Sequence, residues 1–310
     1  MKYLVIFLLI FNTVTSQNFN QETIENKDRY YENFKKVKPT QSIRLSDSIK
    51  ETSGLIYFND LLWTHNDDHD TTIYGLDSLG KIKKKINLPE IINHDWEEIS
   101  QDSTHLYIGD FGNNYSGNRT DLKIFKIEKK SFLEENPKIE TISFSYSDQT
   151  DFSPSTPNKT DFDCEAFIVS KDSIYLFTKQ WKSSKSSIYT LSKESGIQIA
   201  KLKSTFDTKG LVTGATYLED KKLIALCGYT KVGKSFLYLL YDFKNDDFLS
   251  VSKRRIDVKL PFHQVEGIAT KDGLHYFITN ESLVRKPLIN NPQQIHYLDL
   301  SVALSSYLHK

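Results

Sequence analysis

From Gln41 onward, short apolar and aromatic runs are separated by clusters of Asn, Asp, Gly, Lys and Ser, the mark of an all-β array. One type of run recurs five times: Thr52-Ser53-Gly54-Leu55, Asp95-Trp96-Glu97-Glu98-Ile99, Asp163-Cys164-Glu165-Ala166-Phe167, Val212-Thr213-Gly214-Ala215 and Val265-Glu266-Gly267-Ile268. Each is followed by a second run (61–64, 106–109, 174–177, 223–226, 274–277) and a third (73–76, 124–127, 188–191, 237–240, 295–298) built on an apolar-aromatic pair. Alternating fourth runs follow in four of the units, at Lys81 to Leu88, Ile139 to Ser147, Ile197 to Thr205 and Arg254 to Leu260. Self-similarity at this period predicts an all-β, five-bladed β-propeller with four-stranded blades. The fifth unit lacks a fourth run. Ser42-Ile43-Arg44-Leu45, ahead of the first unit, predicts an N-terminal strand that closes the ring, with Val302 to Leu308 as the alternative.

Aligning the first runs puts Ser53, Glu97, Glu165, Thr213 and Glu266 at one equivalent position, spaced by 44, 68, 48 and 53 residues. In a blade the start of the first strand and the end of the second share a face. The ring therefore meets the loops Thr64 to Asp70, Gly109 to Asn114, Thr178 to Lys182, Gly228 to Lys231 and Thr279 to Ser282. Three carboxylates and two hydroxyls around one axis make a metal site of oxygen ligands, for which Ca²⁺ is the expected cofactor. On the same face Asp67 and Asp110 are candidates to orient or deprotonate a water, and Arg119 to offset developing charge. Lys179, Arg285 and Trp181 are candidates to bind substrate. His65 and His69, and the lysines taken singly, read as exposed loop residues. Gly109 to Asn114 reads as a tight turn that uses Gly and Asn for positive φ.

Charge changes the picture by exclusion. Lys plus Arg and Asp plus Glu are 40 each in a chain of 310 residues, so no positive field favours nucleic acid. The beginning, Met1-Lys2, an apolar run from Tyr3 to Phe11 and small residues at Val14 and Ser16, predicts a signal peptide over 1–16 and a secreted or periplasmic protein. That run is about half of what a membrane span needs, so no span is expected. Residues 17–40 read as a polar linker and 41–310 as one domain, expected to be a monomer. The two cysteines, Cys164 and Cys227, allow one disulfide or two buried thiols.

The ring Ser53, Glu97, Glu165, Thr213, Glu266, with its long second interval, resembles that of the soluble calcium-activated nucleotidases (apyrases), five-bladed propellers with Ser, Glu, Glu, Ser, Glu around an axial Ca²⁺. The resemblance covers the repeat architecture from Ser53 to about Leu300. It implies a Ca²⁺-dependent hydrolase of a phosphate ester or anhydride, with Thr213 in place of a serine. In literal sequence, Leu62-Trp63-Thr64-His65-Asn66-Asp67, Asp95-Trp96-Glu97-Glu98-Ile99 and Gly109-Asp110-Phe111-Gly112-Asn113-Asn114 resemble a family of exported bacterial propeller proteins, mostly without assigned function. Two functions therefore compete. One is a secreted Ca²⁺-dependent phosphohydrolase; the other is a noncatalytic propeller with structural Ca²⁺ that binds an envelope ligand or partner.

Overall fold

A computed structural model describes residues 35–249 and 252–308. The expected signal peptide and most of the expected linker lie outside these. Contacts divide the chain into Met1–Lys36 and Val37–Lys310, and the second unit carries the sheets.

After the short strands β1 (Lys36–Val37) and β2 (Gln41–Arg44), β3 (Thr52–Phe58), β4 (Leu61–Asn66), β5 (Thr72–Leu76) and β6 (Ile82–Asn87) form a four-stranded antiparallel meander. The pattern repeats in β7 (Trp96–Gln101), β8 (His105–Asp110), β9 (Lys123–Glu128) and β10 (Ile139–Tyr146), with a short helix α1 (Lys129–Leu133) between the last two. It repeats again in β11 (Cys164–Val169), β12 (Ser173–Thr178), β13 (Ser186–Ser192) and β14 (Gly196–Phe206). A further meander comprises β15 (Leu211–Leu218), β16 (Leu223–Tyr229), β17 (Lys234–Tyr241) and β18 (Ser252–Pro261).

In the last sheet β19 (Val265–Thr270) and β20 (His275–Asn280) lead through a small ribbon, β21 (Leu283–Arg285) and β22 (Ile289–Asn291), to β23 (Gln294–Asp299). Its fourth strand is β2, paired antiparallel to β23 with Ser42 opposite His296. The alternative segment instead forms a helix, α2 (Ser301–Leu308).

The inner strands touch in cyclic order: β3 with β7, β7 with β11, β11 with β15, β15 with β19, and β19 with β3. The architecture is that of a β-propeller. One pairing departs from independent sheets. The outer strands β10 and β14 pair in parallel, Ile142 with Gly196 through Tyr146 with Ala200, and fuse two meanders into eight strands. Each protects the other's edge.

Strand alternation fills both faces of each meander. Along β8, Leu106 and Ile108 pack with Trp63, Trp96 and Phe125 on one side, while Tyr107 joins Phe144 and Phe167 on the other. Along β12, Ile174 and Leu176 face that second cluster and Tyr175 and Phe177 face the next. Burying each such side chain contributes about 1.5–3 kcal/mol. Cys164 and Cys227 lie within this packing as free, buried thiols.

Candidate functional site

Each inner hairpin carries one extra residue at the axial end of its first strand. Trp96 pairs with Asp110 and Glu98 with Gly109, which leaves Glu97 unopposed. The same irregularity leaves Glu165 between Cys164 and Ala166, Thr213 between Val212 and Gly214, and Glu266 between Val265 and Gly267. In β3 it falls just after Ser53. Such bulges re-aim a side chain. Here they let Trp96 enter the core while Glu97 turns to the axis.

Glu97, Glu165, Glu266 and Ser53 line a cavity of about 190 Å³ together with Asp67, Asp95, Glu281, Lys179, Trp181, Tyr229, Gln264, Asn114 and Asn158. All five loops expected at this mouth contribute a side chain. Thr213 lies at its ring position but is fully buried and does not line the cavity. The two hydroxyls tie neighbouring inner strands together: Ser53 Oγ donates to the Glu97 carbonyl at 2.6 Å, and Thr213 Oγ1 to the Val265 carbonyl.

Six carboxylates thus face one ammonium. Lys179 Nζ lies 2.8 Å from Glu165 Oε1, with both side chains almost wholly buried. It also sits over the rings of Trp181 and Tyr229, at 4.8 and 5.4 Å from their centroids. Read from sequence as a solvated loop residue, Lys179 is instead the counter-charge built into the cavity. Burial pulls its pKa down, but Glu165, Tyr229, Glu266 and Asp163 outweigh it and hold the ammonium charged.

One ammonium is not enough. Burial, then Glu165 and Asp95, push the Glu97 carboxyl well above its ordinary range, and burial does the same to Glu266. Burial and Asp163 raise Asp95 to about 7; burial, then Glu281 and Glu51, raise Asp67 to about 8; burial raises Glu281 to about 7. Glu266 Oε2 and Asp67 Oδ1 are buried without a hydrogen-bond partner. Glu97, Asp163 and Glu165 can each bring one oxygen within 4.8 Å of the others. Of these, Asp163 is already engaged, accepting from Asn113 N and Trp181 Nε1 at 2.7 Å each.

Asp110 and Arg119 do not line the cavity. Arg119 Nη2 donates to Asp110 Oδ1 at 2.8 Å, its Nε donates to Asp121, and its Nη1 holds the Gly112 carbonyl at 2.8 Å. The pair thereby fixes the loop after β8. Gly112 does not have positive φ. Its glycine is required by space, since a Cβ there would lie 2.3 Å from Asp95 Oδ2 and from Glu97 Oε1. Arg285 sits farther out, on a groove that shares Trp181 with the cavity. His69 is exposed as expected, whereas His65 is fully buried against Trp96, and burial lowers its pKa to about 4.

Several residues that line or support the cavity escape the ring pattern; Asp163 and Gly112 are supports and do not line it. Asp95, Asp163 and Gln264 stand two residues before Glu97, Glu165 and Glu266, a spacing that returns to the same side of a strand. Asp67, Gly112, Lys179 and Glu281 are also equivalent: their N–H groups donate to the carbonyls of Glu51, Asp95, Asp163 and Gln264. Glu98, next to the ring, is buried and accepts from Leu55 N at 3.3 Å, Ile99 N at 3.0 Å and Ala215 N at 2.7 Å. It links three inner strands across the axis.

No protein-family model and no curated protein matches this chain. Among solved structures it is similar to the PQQ-bound form of an aldose sugar dehydrogenase from Streptomyces coelicolor, with 10% identity, a TM-score of 0.49, and 85% of this chain and 97% of that one covered. It is also similar to a streptogramin B lyase, with 12% identity, a TM-score of 0.40 and coverage of 84% and 96%. A DUF4623 family protein from Bacteroides eggerthii has 12% identity, a TM-score of 0.46 and coverage of 85% and 59%. None of the activities in those names carries over at such identity.

Proposed function

We propose that the chain is an exported five-bladed propeller that binds one Ca²⁺ at its axis and hydrolyses a phosphate-containing small molecule in the groove above. One observation carries the metal reading: six carboxylates surround about 190 Å³ with a single ammonium among them, and Glu266 Oε2 is buried without a partner. Buried carboxylates in excess of their counter-charges require protons or a cation. Among the described residues no sulfur or imidazole lines the cavity, so a hard cation held by oxygen fits and zinc does not.

Glu97, Glu165 and Glu266 would hold the ion, with Ser53 at the rim. Thr213 supports the ring by tying its strand to Val265. When bound, Ca²⁺ supplies positive charge to a phosphoryl oxygen. Asp67, at the cavity wall with a free oxygen and a carboxyl that exchanges its proton near neutral pH, is the residue placed to take a proton from water. Lys179, over the rings of Trp181 and Tyr229 at the cavity wall, is placed to donate to a ligand oxygen. Asp110 and Arg119 act on the site through Gly112.

The built-in Lys179–Glu165 pair favours a second reading, a noncatalytic cup in which the ion is structural and an envelope ligand occupies the groove. Calorimetry with Ca²⁺ on the purified protein, paired with phosphate release from a panel of phosphate esters and anhydrides with and without chelator, separates the two. Ca²⁺ binding with chelator-sensitive release supports the hydrolase. Binding without release leaves the structural ion, and no binding removes both.

A further inference from the structure

Beside the acidic cavity, sharing Asn158, Trp181, Tyr229 and Gln264 with it, lies a groove of about 640 Å³. Its chemistry is the reverse of the cavity's. No carboxylate lines it, while Lys159, Lys231 and Arg285 do, and none of these three is in an ion pair among the described residues. A volume of this size suits one small-molecule ligand.

Phe262, on the groove wall, is the unusual residue. Its φ is +60°, a left-handed conformation that costs a bulky L-residue about 1–2 kcal/mol. The residue as a whole remains 52% exposed. The conformation is held from both sides: Phe262 N donates to the Gly233 carbonyl at 2.7 Å, and its own carbonyl accepts from Asn291 Nδ2 at 2.8 Å. Gly233, at φ +75°, lies flush with the ring, since a Cβ there would come within 2.6 Å of Phe262 Cδ1. Backbone strain, a neighbouring glycine and a side-chain clamp all keep an apolar residue half in water, against its own hydrophobic preference. A flat apolar partner on that ring, within a cation-lined groove, accounts for the arrangement.

We propose that Phe262 is a stacking platform, and that the ligand of this groove is a small molecule with a planar aromatic ring and an anionic group. The ring lies on Phe262 and the anion meets Lys231, Arg285 and Lys159. This deepens the phosphohydrolase reading by assigning what the phosphate is attached to, and it rests on that reading only for the anion's position next to the axial cation.

The test is calorimetric titration of the full protein with phenylphosphonate and methylphosphonate, which share an anionic head and resist hydrolysis, in Ca²⁺ and again in chelator. Phenylphosphonate is expected to bind about tenfold tighter, the effect of one aromatic stack with its buried apolar area. Phe262→Ala should remove most of that ratio and leave methylphosphonate affinity unchanged, while Phe262→Trp should keep it. Lys231→Ala, at an exposed turn, should weaken both ligands alike and so tests the groove without touching Phe262. Equal affinity of the two phosphonates for the wild type, a ratio that survives Phe262→Ala, or no phenylphosphonate binding in either buffer overturns the proposal. A ring preference that persists in a protein that binds no Ca²⁺ upholds the groove and rejects the metal; Ca²⁺ binding without ring preference does the opposite.

Discussion

Replacing Lys179 by Met keeps the stem of the side chain and removes the only ammonium among the described residues that line the axial cavity. Its partner, Glu165 Oε1 at 2.8 Å, is left buried at 2% exposure. Breaking a buried pair costs about 3–5 kcal/mol because the remaining charge has no partner. Lys179 also holds down the carboxyls of Asp95, Glu97, Glu266 and Glu281, so without it the folded protein retains protons that the unfolded chain releases, and the loss is smaller at pH 5 than at pH 7. The ammonium's own contribution does not vary over this range, because a lysine with raised folded pKa loses its stabilising effect only at alkaline pH. The deficit should therefore grow as pH rises from 5 to 7. In chelator at pH 7, differential scanning calorimetry should show the melting temperature lowered by about 10 °C. Excess Ca²⁺ should recover more stability in the variant than in the wild type, since the competing ammonium is gone. A variant as stable as wild type in chelator at pH 7, or a deficit that is flat with pH, would refute the account of the cavity as an acid cluster held by Lys179.

The metal-free wild type should itself lose stability between pH 5 and 8. Asp67, Asp95 and Glu281 have folded pKa values raised to about 8, 7 and 7, so the folded state holds protons that the unfolded chain releases near pH 4. Thermal melts in chelator should show this slope, and added Ca²⁺ should flatten it. Gly112→Ala drives a methyl against Asp95 and Glu97 and should weaken Ca²⁺ binding at least tenfold in calorimetry, with the circular dichroism spectrum kept. Glu98→Ala strips three buried N–H groups of their acceptor and should cost about 3–6 kcal/mol in urea unfolding, by the penalty for each unmade bond. An effect below 1 kcal/mol would mean that water replaces the carboxylate.

What the sequence discloses is what depends on neighbours along the chain. The runs that became β3, β7, β11, β15 and β19 show because an acidic or small residue beside an apolar one is a local signature, and the outer strands show through their period of two. Lys179 shows in the sequence as a residue of the mouth, but its burial against Glu165 does not. A lysine after a strand reads as solvated, and its burial exists only when inner strands far apart in sequence meet around the axis. Asp110 looked like a cavity acid because it ends β8, yet Arg119, nine residues later, takes it. The Gly109 to Asn114 loop looked like a turn that needs positive φ; it needs its glycine for clearance from two carboxylates. The parallel pairing of β10 and β14 leaves no mark at all, because edge residues that face water and those that face another edge have the same alternating pattern.

The extra residue in each inner hairpin makes the axis a replaceable part. A side chain borne on a position that has no cross-strand partner can be exchanged while the ladder on either side keeps its register. The ring's charge can then be altered one unit at a time, by Glu97→Gln, Glu165→Gln or Glu266→Gln, without redesigning a sheet. Ion preference in such a scaffold is an attribute of the three glutamate seats rather than of the fold, and it can drift or be engineered while the blades stay as they are.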